Sequence, residues 1–117
     1  MSGDTLKAVC KGIKMSIDKI RSRGGLVIFV RPPSSGEVLE NEKRTFPREQ
    51  YWDRLLEYTN TPGIHFSDYP AIANFSCPEL SHLAPKDGVT FTSHLIEILL
   101  DDKGWNFPNK TKFNSKH

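Results

Sequence analysis

Between Thr5 and Arg23 the apolar residues Leu6, Val9, Cys10, Ile13, Ile17 and Ile20 recur at spacings of three and four. Lys7, Lys11, Lys14, Asp18 and Arg21 fall between them, so the segment is predicted to be an amphipathic helix. Gly24-Gly25 supplies its break. Leu26-Val27-Ile28-Phe29-Val30 follows, apolar without alternation and rich in β-branched residues. That pattern predicts a parallel strand covered on both faces. Arg31-Pro32-Pro33-Ser34-Ser35-Gly36 stops the strand, because two prolines remove backbone donors and the residues after them favour turns. The charged stretch from Ser34 to Thr45 reads as a long loop.

A second helix is expected to start near Pro47, with Tyr51, Trp52, Leu55 and Leu56 on its buried side. Asn60-Thr61-Pro62-Gly63 ends it. Ile64-His65-Phe66-Ser67-Asp68 alternates and predicts a second, more exposed strand with His65 turned away from Ile64 and Phe66. Residues 69–87 contain three prolines and read as a structured loop with a short helical turn. The last helix is predicted from Gly88 to Asp102, with Asp87 as N-cap and Phe91, Thr92, Leu95, Ile96 and Leu99 facing inward. The resulting order of elements predicts a partial three-layer α/β/α fold with two parallel strands and three main helices. Two strands are few for such a sheet, so the chain reads as part of a doubly wound domain. Residues 1–103 are expected to form this single α/β domain, and 104–117 a basic flexible tail.

Composition narrows the class. The chain has 117 residues, 37% of them apolar and 26% charged, with a net charge of +2, as expected of one globular domain. The sum hides a division. Residues 1–25 carry six Lys/Arg against two Asp/Glu, residues 103–117 four against none, and residues 26–102 six against twelve. No aromatic-and-arginine stripe or helix-turn-helix accompanies the basic ends, so they read as solvated flanks rather than a nucleic-acid interface. No apolar run reaches the length of a membrane span. The N-terminus lacks a signal-peptide pattern, which favours the cytoplasm for this chain; a longer parent with a signal or anchor would place it beyond the membrane. Cys10 and Cys77 are too few for a disulfide framework, and Cys10 reads as a buried thiol. No metal-ligand spacing or cofactor motif is present. Asn74-Phe75-Ser76 and Asn109-Lys110-Thr111 match the glycosylation pattern, which without an export signal carries no weight.

The segment that points to chemistry is Cys77-Pro78-Glu79-Leu80-Ser81-His82-Leu83, between the second strand and the last helix. In a turn, residues three apart lie side by side. Glu79 can then accept a hydrogen bond from one ring nitrogen of His82, leaving the other to take a proton from a nucleophile. The plain alternative is a short helical start at Pro78-Glu79 with His82 in solvent. His94 reads as an exposed or packed helix residue, and His65 as structural. Arg31, at the carboxyl end of the first strand, stands where α/β sheets place ligand contacts and is the candidate substrate-binding residue, against a plain role as a solvated or structural cation.

Glu79-Leu80-Ser81-His82 resembles the closing D-x-x-H motif of the SGNH, or GDSL-type, serine esterases and acyltransferases, with Glu in place of Asp. Phe29-Val30-Arg31-Pro32-Pro33 and Pro78-Glu79-Leu80-Ser81-His82-Leu83 are similar to the branch related to polysaccharide O-acetylation proteins. The resemblance spans Gly24 to Leu100. It implies a flavodoxin-like fold, an acyl ester substrate, His82 as general base and Glu79 as its orienting acid. The family's Gly-Asp-Ser nucleophile and its oxyanion-hole motifs are missing. Gly3-Asp4-Thr5 has threonine for serine and no preceding strand, and Ser34 and Ser35 read as turn hydroxyls. The chain alone is therefore expected to be inactive, as the closing part of a longer enzyme or a remnant completed by another chain. The alternative is a non-catalytic α/β module whose incomplete sheet pairs with itself, as a homo-oligomer, or with a partner chain.

Overall fold

The structure, a computed structural model, describes residues 2–75, Cys77 and residues 83–106. The chain is mixed α/β and mostly helical, and divides into two compact units, Met1–Leu83 and Ala84–His117.

In the first unit, α1 (Gly3–Ser22) begins earlier than its apolar spacing predicts. Ser2 is the reason: its Oγ accepts the Thr5 N–H at 3.1 Å and so caps the first turn. Asp4 in the first turn and Lys19 and Arg21 in the last offset the helix dipole. Gly24, at φ +82°, turns the chain out of the helix. At Gly25 a Cβ would lie 2.6 Å from Cγ2 of Ile20 and 3.0 Å from its carbonyl oxygen, so a side chain is excluded there.

β1 (Phe29–Arg31) and β2 (Gly63–His65) pair in parallel, with Phe29 opposite Gly63, Val30 opposite Ile64 and Arg31 opposite His65. The parallel pair agrees with the sequence, but the first strand is corrected in length and burial. Leu26 to Val30 was expected as a fully covered strand; only three residues pair, beginning at Phe29, and Leu26 is 64% exposed. Among the described residues the sheet has two strands, with β2 on one side of β1.

The stretch predicted as a long loop is instead α2 (Gly36–Thr45). Its only aliphatic residues are Val38 and Leu39 and none of its residues is buried, so there was no apolar period to read. What defines it are good helix formers, Glu37 in the first turn, and Lys43 and Arg44 in the last. α3 (Trp52–Thr59) starts later than the Pro47 signal suggests, because Gln50 and Tyr51 N–H groups bond back to the Pro47 carbonyl as a separate turn. It ends at Asn60, which takes the left-handed conformation at φ 51°. α1 packs along α3, where Arg21 Nη2 donates to the Asn60 carbonyl at 2.9 Å and to Thr61 Oγ1 at 3.2 Å.

After β2 the alternating pattern continues into a 3-10 turn, Phe66–Asp68, rather than further strand. Ile64 and Phe66 are buried and His65 is half-buried, the alternation the sequence predicts. α4 (Pro70–Ala73) is the short helical turn expected in the loop, anchored by the fully buried Ile72.

In the second unit, α5 (Pro85–Asp101) starts before the expected Gly88. Pro85 occupies the first turn after Ala84, and Asp87 sits inside that turn instead of capping it. Phe91, Ile98 and Leu99 are buried, whereas Thr92 and Ile96 are exposed. Thr92 Oγ1 donates to the Gly88 carbonyl at 2.8 Å, so its polar atom is satisfied within the helix. The expected tail beyond residue 106 lies outside the described residues.

Candidate functional site

Both strands run to the same end, where Arg31 closes β1 and His65 closes β2. The carboxyl ends of parallel strands are where open α/β sheets hold ligands, because loops diverge there and leave a crevice. Here α2 and α3 flank a groove of about 520 Å³ whose lining includes Arg31, Glu42, Phe46, Arg48, Trp52 and His65.

Arg31 is held on several sides. Its Nη1 donates to the Pro32 carbonyl at 2.6 Å, its Nη2 to Ser34 Oγ at 3.3 Å, and the guanidinium pairs with Glu42. Ser34, only 4% exposed, in turn donates to Glu42 Oε2 at 3.3 Å. The Arg31 guanidinium also lies 5.7 Å from the centre of the Phe66 ring. Burial lowers its proton affinity from the ordinary arginine value. Ser34, read from the sequence as a turn hydroxyl, therefore links a cation to the carboxylate of α2.

His65 has a defined tautomer. The Ser67 N–H donates to Nδ1 at 3.2 Å, so Nδ1 is the bare nitrogen and Nε2 carries the proton. Ser67 Oγ lies 2.8 Å from the same Nδ1. Burial is the largest effect pushing the His65 pKa below its ordinary value, and the charges of Arg48 and Arg31 push the same way. Trp52 meets the imidazole edge-on with centres 5.4 Å apart, and Phe66 stacks on it at 5.0 Å. His65 is thus a neutral ring held by aromatic neighbours and cations.

Arg48 stands at the rim. It grips Asp68 with two bonds of 2.7 Å, one from each terminal nitrogen, and reaches Asp53 at 3.4 Å. Hydrogen bonding to Asp68 raises its proton affinity above that of a free arginine. It also donates to Ser67 Oγ at 3.4 Å.

The loop after β1 makes one further connection. The Cys77 N–H donates to Ser35 Oγ at 3.2 Å, that hydroxyl lies 3.4 Å from the Cys77 carbonyl oxygen, and the Cys77 thiol donates to the Pro33 carbonyl at 3.5 Å. Residues 42 apart are joined there, just beyond the carboxyl end of β1.

No protein-family model, curated protein or solved structure matches this chain.

Of the residues the sequence singled out, Arg31 lies in the groove, with His65 beside it. Glu79 and His82 lie outside the described residues. Sequence reasoning did not single out Glu42, Arg48 or Ser67: Glu42 meets Ser34 from eight residues away and Arg48 meets Asp68 from twenty, while Ser67 meets His65 only through the local turn after β2. Among the described residues no group of three or more His, Cys, Asp or Glu is arranged to hold a metal ion, and no helix is long and apolar enough to cross a membrane.

Proposed function

We propose that this chain is the closing segment of an SGNH-like serine esterase or O-acyltransferase, with His82 as general base and Glu79 as the carboxylate that orients it. In this reading the two parallel strands belong to a three-layer, flavodoxin-like sheet. The nucleophilic serine and the oxyanion donors come from outside this chain. His82 takes the proton from the serine hydroxyl as it attacks the ester carbonyl and returns it to the leaving alcohol, while Glu79 accepts the hydrogen bond that fixes the ring. Arg31, oriented by Ser34 and Glu42, contributes to substrate binding.

The observation that carries the reading is the tether at Cys77. Two residues before Glu79, the backbone is hydrogen-bonded to Ser35 in the loop that leaves β1, on the side of the sheet where Arg31 and His65 end their strands. A triad histidine in an α/β esterase has to reach that end of the sheet. The test is covalent labelling of the natural protein with a fluorophosphonate probe. His82→Ala is expected to slow labelling at least ~100-fold, and equal labelling of both forms would remove His82 from the mechanism.

A further inference from the structure

We propose that the groove at the carboxyl ends of the strands binds a small aromatic monocarboxylate, with its ring against Phe46 and its carboxylate on the Lys43 ammonium and the Nε2–H of His65. Such binding needs no turnover, so it stands whether or not His82 is a base.

Hydrogen-bonding capacity in the groove is lopsided. Its charged lining is Arg31, Lys43 and Arg48 against Glu42, and the Glu42 carboxylate is already taken by Arg31 and the Ser34 hydroxyl. Two donors are left over. His65 carries its proton on Nε2, because Nδ1 accepts from Ser67, and among the described residues that N–H meets no acceptor. Lys43 has only Glu40 beside it among the described residues, at 3.8 Å with both side chains more than half exposed. An ion pair that open is worth little, so the ammonium can turn to a ligand at small cost. A molecule entering the groove meets donors and a cation, and must supply acceptors and negative charge.

The surplus is a single charge. Arg31 is held by Glu42, and Arg48 is gripped by Asp68 and reaches Asp53, so neither offers a free cation. A carboxylate matches one ammonium and one neutral N–H with its two oxygens. A phosphate dianion would need a second cation released from its carboxylate.

The apolar part of the lining favours a flat ring. Phe46, which ends α2, lines the groove and is 52% exposed, while Trp52 and Phe66 flank His65. Aromatic rings pack on one another edge-on or offset, and a large exposed ring in a concave site is surface that a ligand covers. The groove, about 520 Å³, falls in the size range of small-molecule sites, roughly 300–1,000 Å³.

The experiment titrates the 15N-labelled chain with naphthylacetate near neutral pH. Saturable shifts are expected at the Trp52 indole N–H and at the Lys43 and His65 amides, with a Kd of about 1 mM or tighter. Lys43→Gln and Phe46→Ala alter exposed side chains, and retention of the Ile64 amide signal verifies that each variant keeps its β1–β2 pair. Each is expected to weaken binding about tenfold. Naphthylacetamide, without the charge, and acetate, without the ring, are expected to bind at least about tenfold more weakly than naphthylacetate. Absence of saturable shifts, or shifts confined to the lysines of α1, would overturn the proposal. An unchanged Kd in either variant or equal binding of either control would do the same, as would tighter binding of naphthyl phosphate, which would make the site one for a dianion.

Discussion

His65 shows how a residue without a motif of its own acquires a defined chemical state. Its Nδ1 is taken by the Ser67 N–H, and burial together with Arg48 and Arg31 disfavours the imidazolium. The native pKa thus lies below that of the unfolded chain, about 6.5. As pH falls through that value the unfolded state takes up the proton first, so His65 lowers stability on acidification until the native ring also titrates, and lowers it no further below that point. A histidine Cε1–Hε1 titration by NMR is expected to give a midpoint below 6.5, and Arg48→Gln is expected to raise it. An unshifted midpoint in the variant would contradict the placement of Arg48. The position of Arg31 was legible in the sequence, because prolines follow an apolar run there. Its partnership with Ser34 and Glu42 was not, because α2 gave no periodic signal from which to bring Glu42 back to the strand end. The Arg48–Asp68 grip spans 20 residues and left no local trace.

At the scale of elements, Gly63 determines how closely α3 lies on β2. A Cβ there would come within 2.7 Å of Trp52 Cζ2 and within 2.8 and 2.9 Å of the two Leu56 methyl carbons. Gly63→Ala is therefore expected to destabilise the chain by about 1–3 kcal/mol through overpacking. It should also displace Trp52 from His65, read as a changed tryptophan emission together with a lower urea midpoint. Ile64, fully buried beside it, should lose about 2–5 kcal/mol on Ile64→Ala by the same denaturation measurement; a loss under ~0.5 kcal/mol would place Ile64 at the surface. Elements with a strong apolar period were legible: α1, the β2 alternation and the body of α5. Boundaries moved where caps outweighed the period, at Ser2 and at Pro85. α2 escaped because a helix held by its end charges and its propensity looks, in hydropathy, like a charged loop.

For the whole molecule, the short sheet is the feature from which the rest follows. A two-stranded parallel pair leaves Leu26 to Val30 without full cover, which is why a sequence run that reads as buried is not buried in this chain. Charge is divided along the chain as well, with the basic α1 ahead of β1 and twelve Asp/Glu against six Lys/Arg in residues 26–102, although the groove itself is lined by Arg31, Lys43 and Arg48 with Glu42. One end of the sheet gathers Arg31, His65 and the Ser35 tether to Cys77. The central claim is that the segment bearing Glu79 and His82 supplies the base of an acyl-transfer site. Its most direct test is steady-state hydrolysis of an acetyl ester by the natural protein and its His82→Ala variant. The account predicts that kcat falls by about 10²–10⁴ with KM little changed, and an unchanged kcat would contradict it.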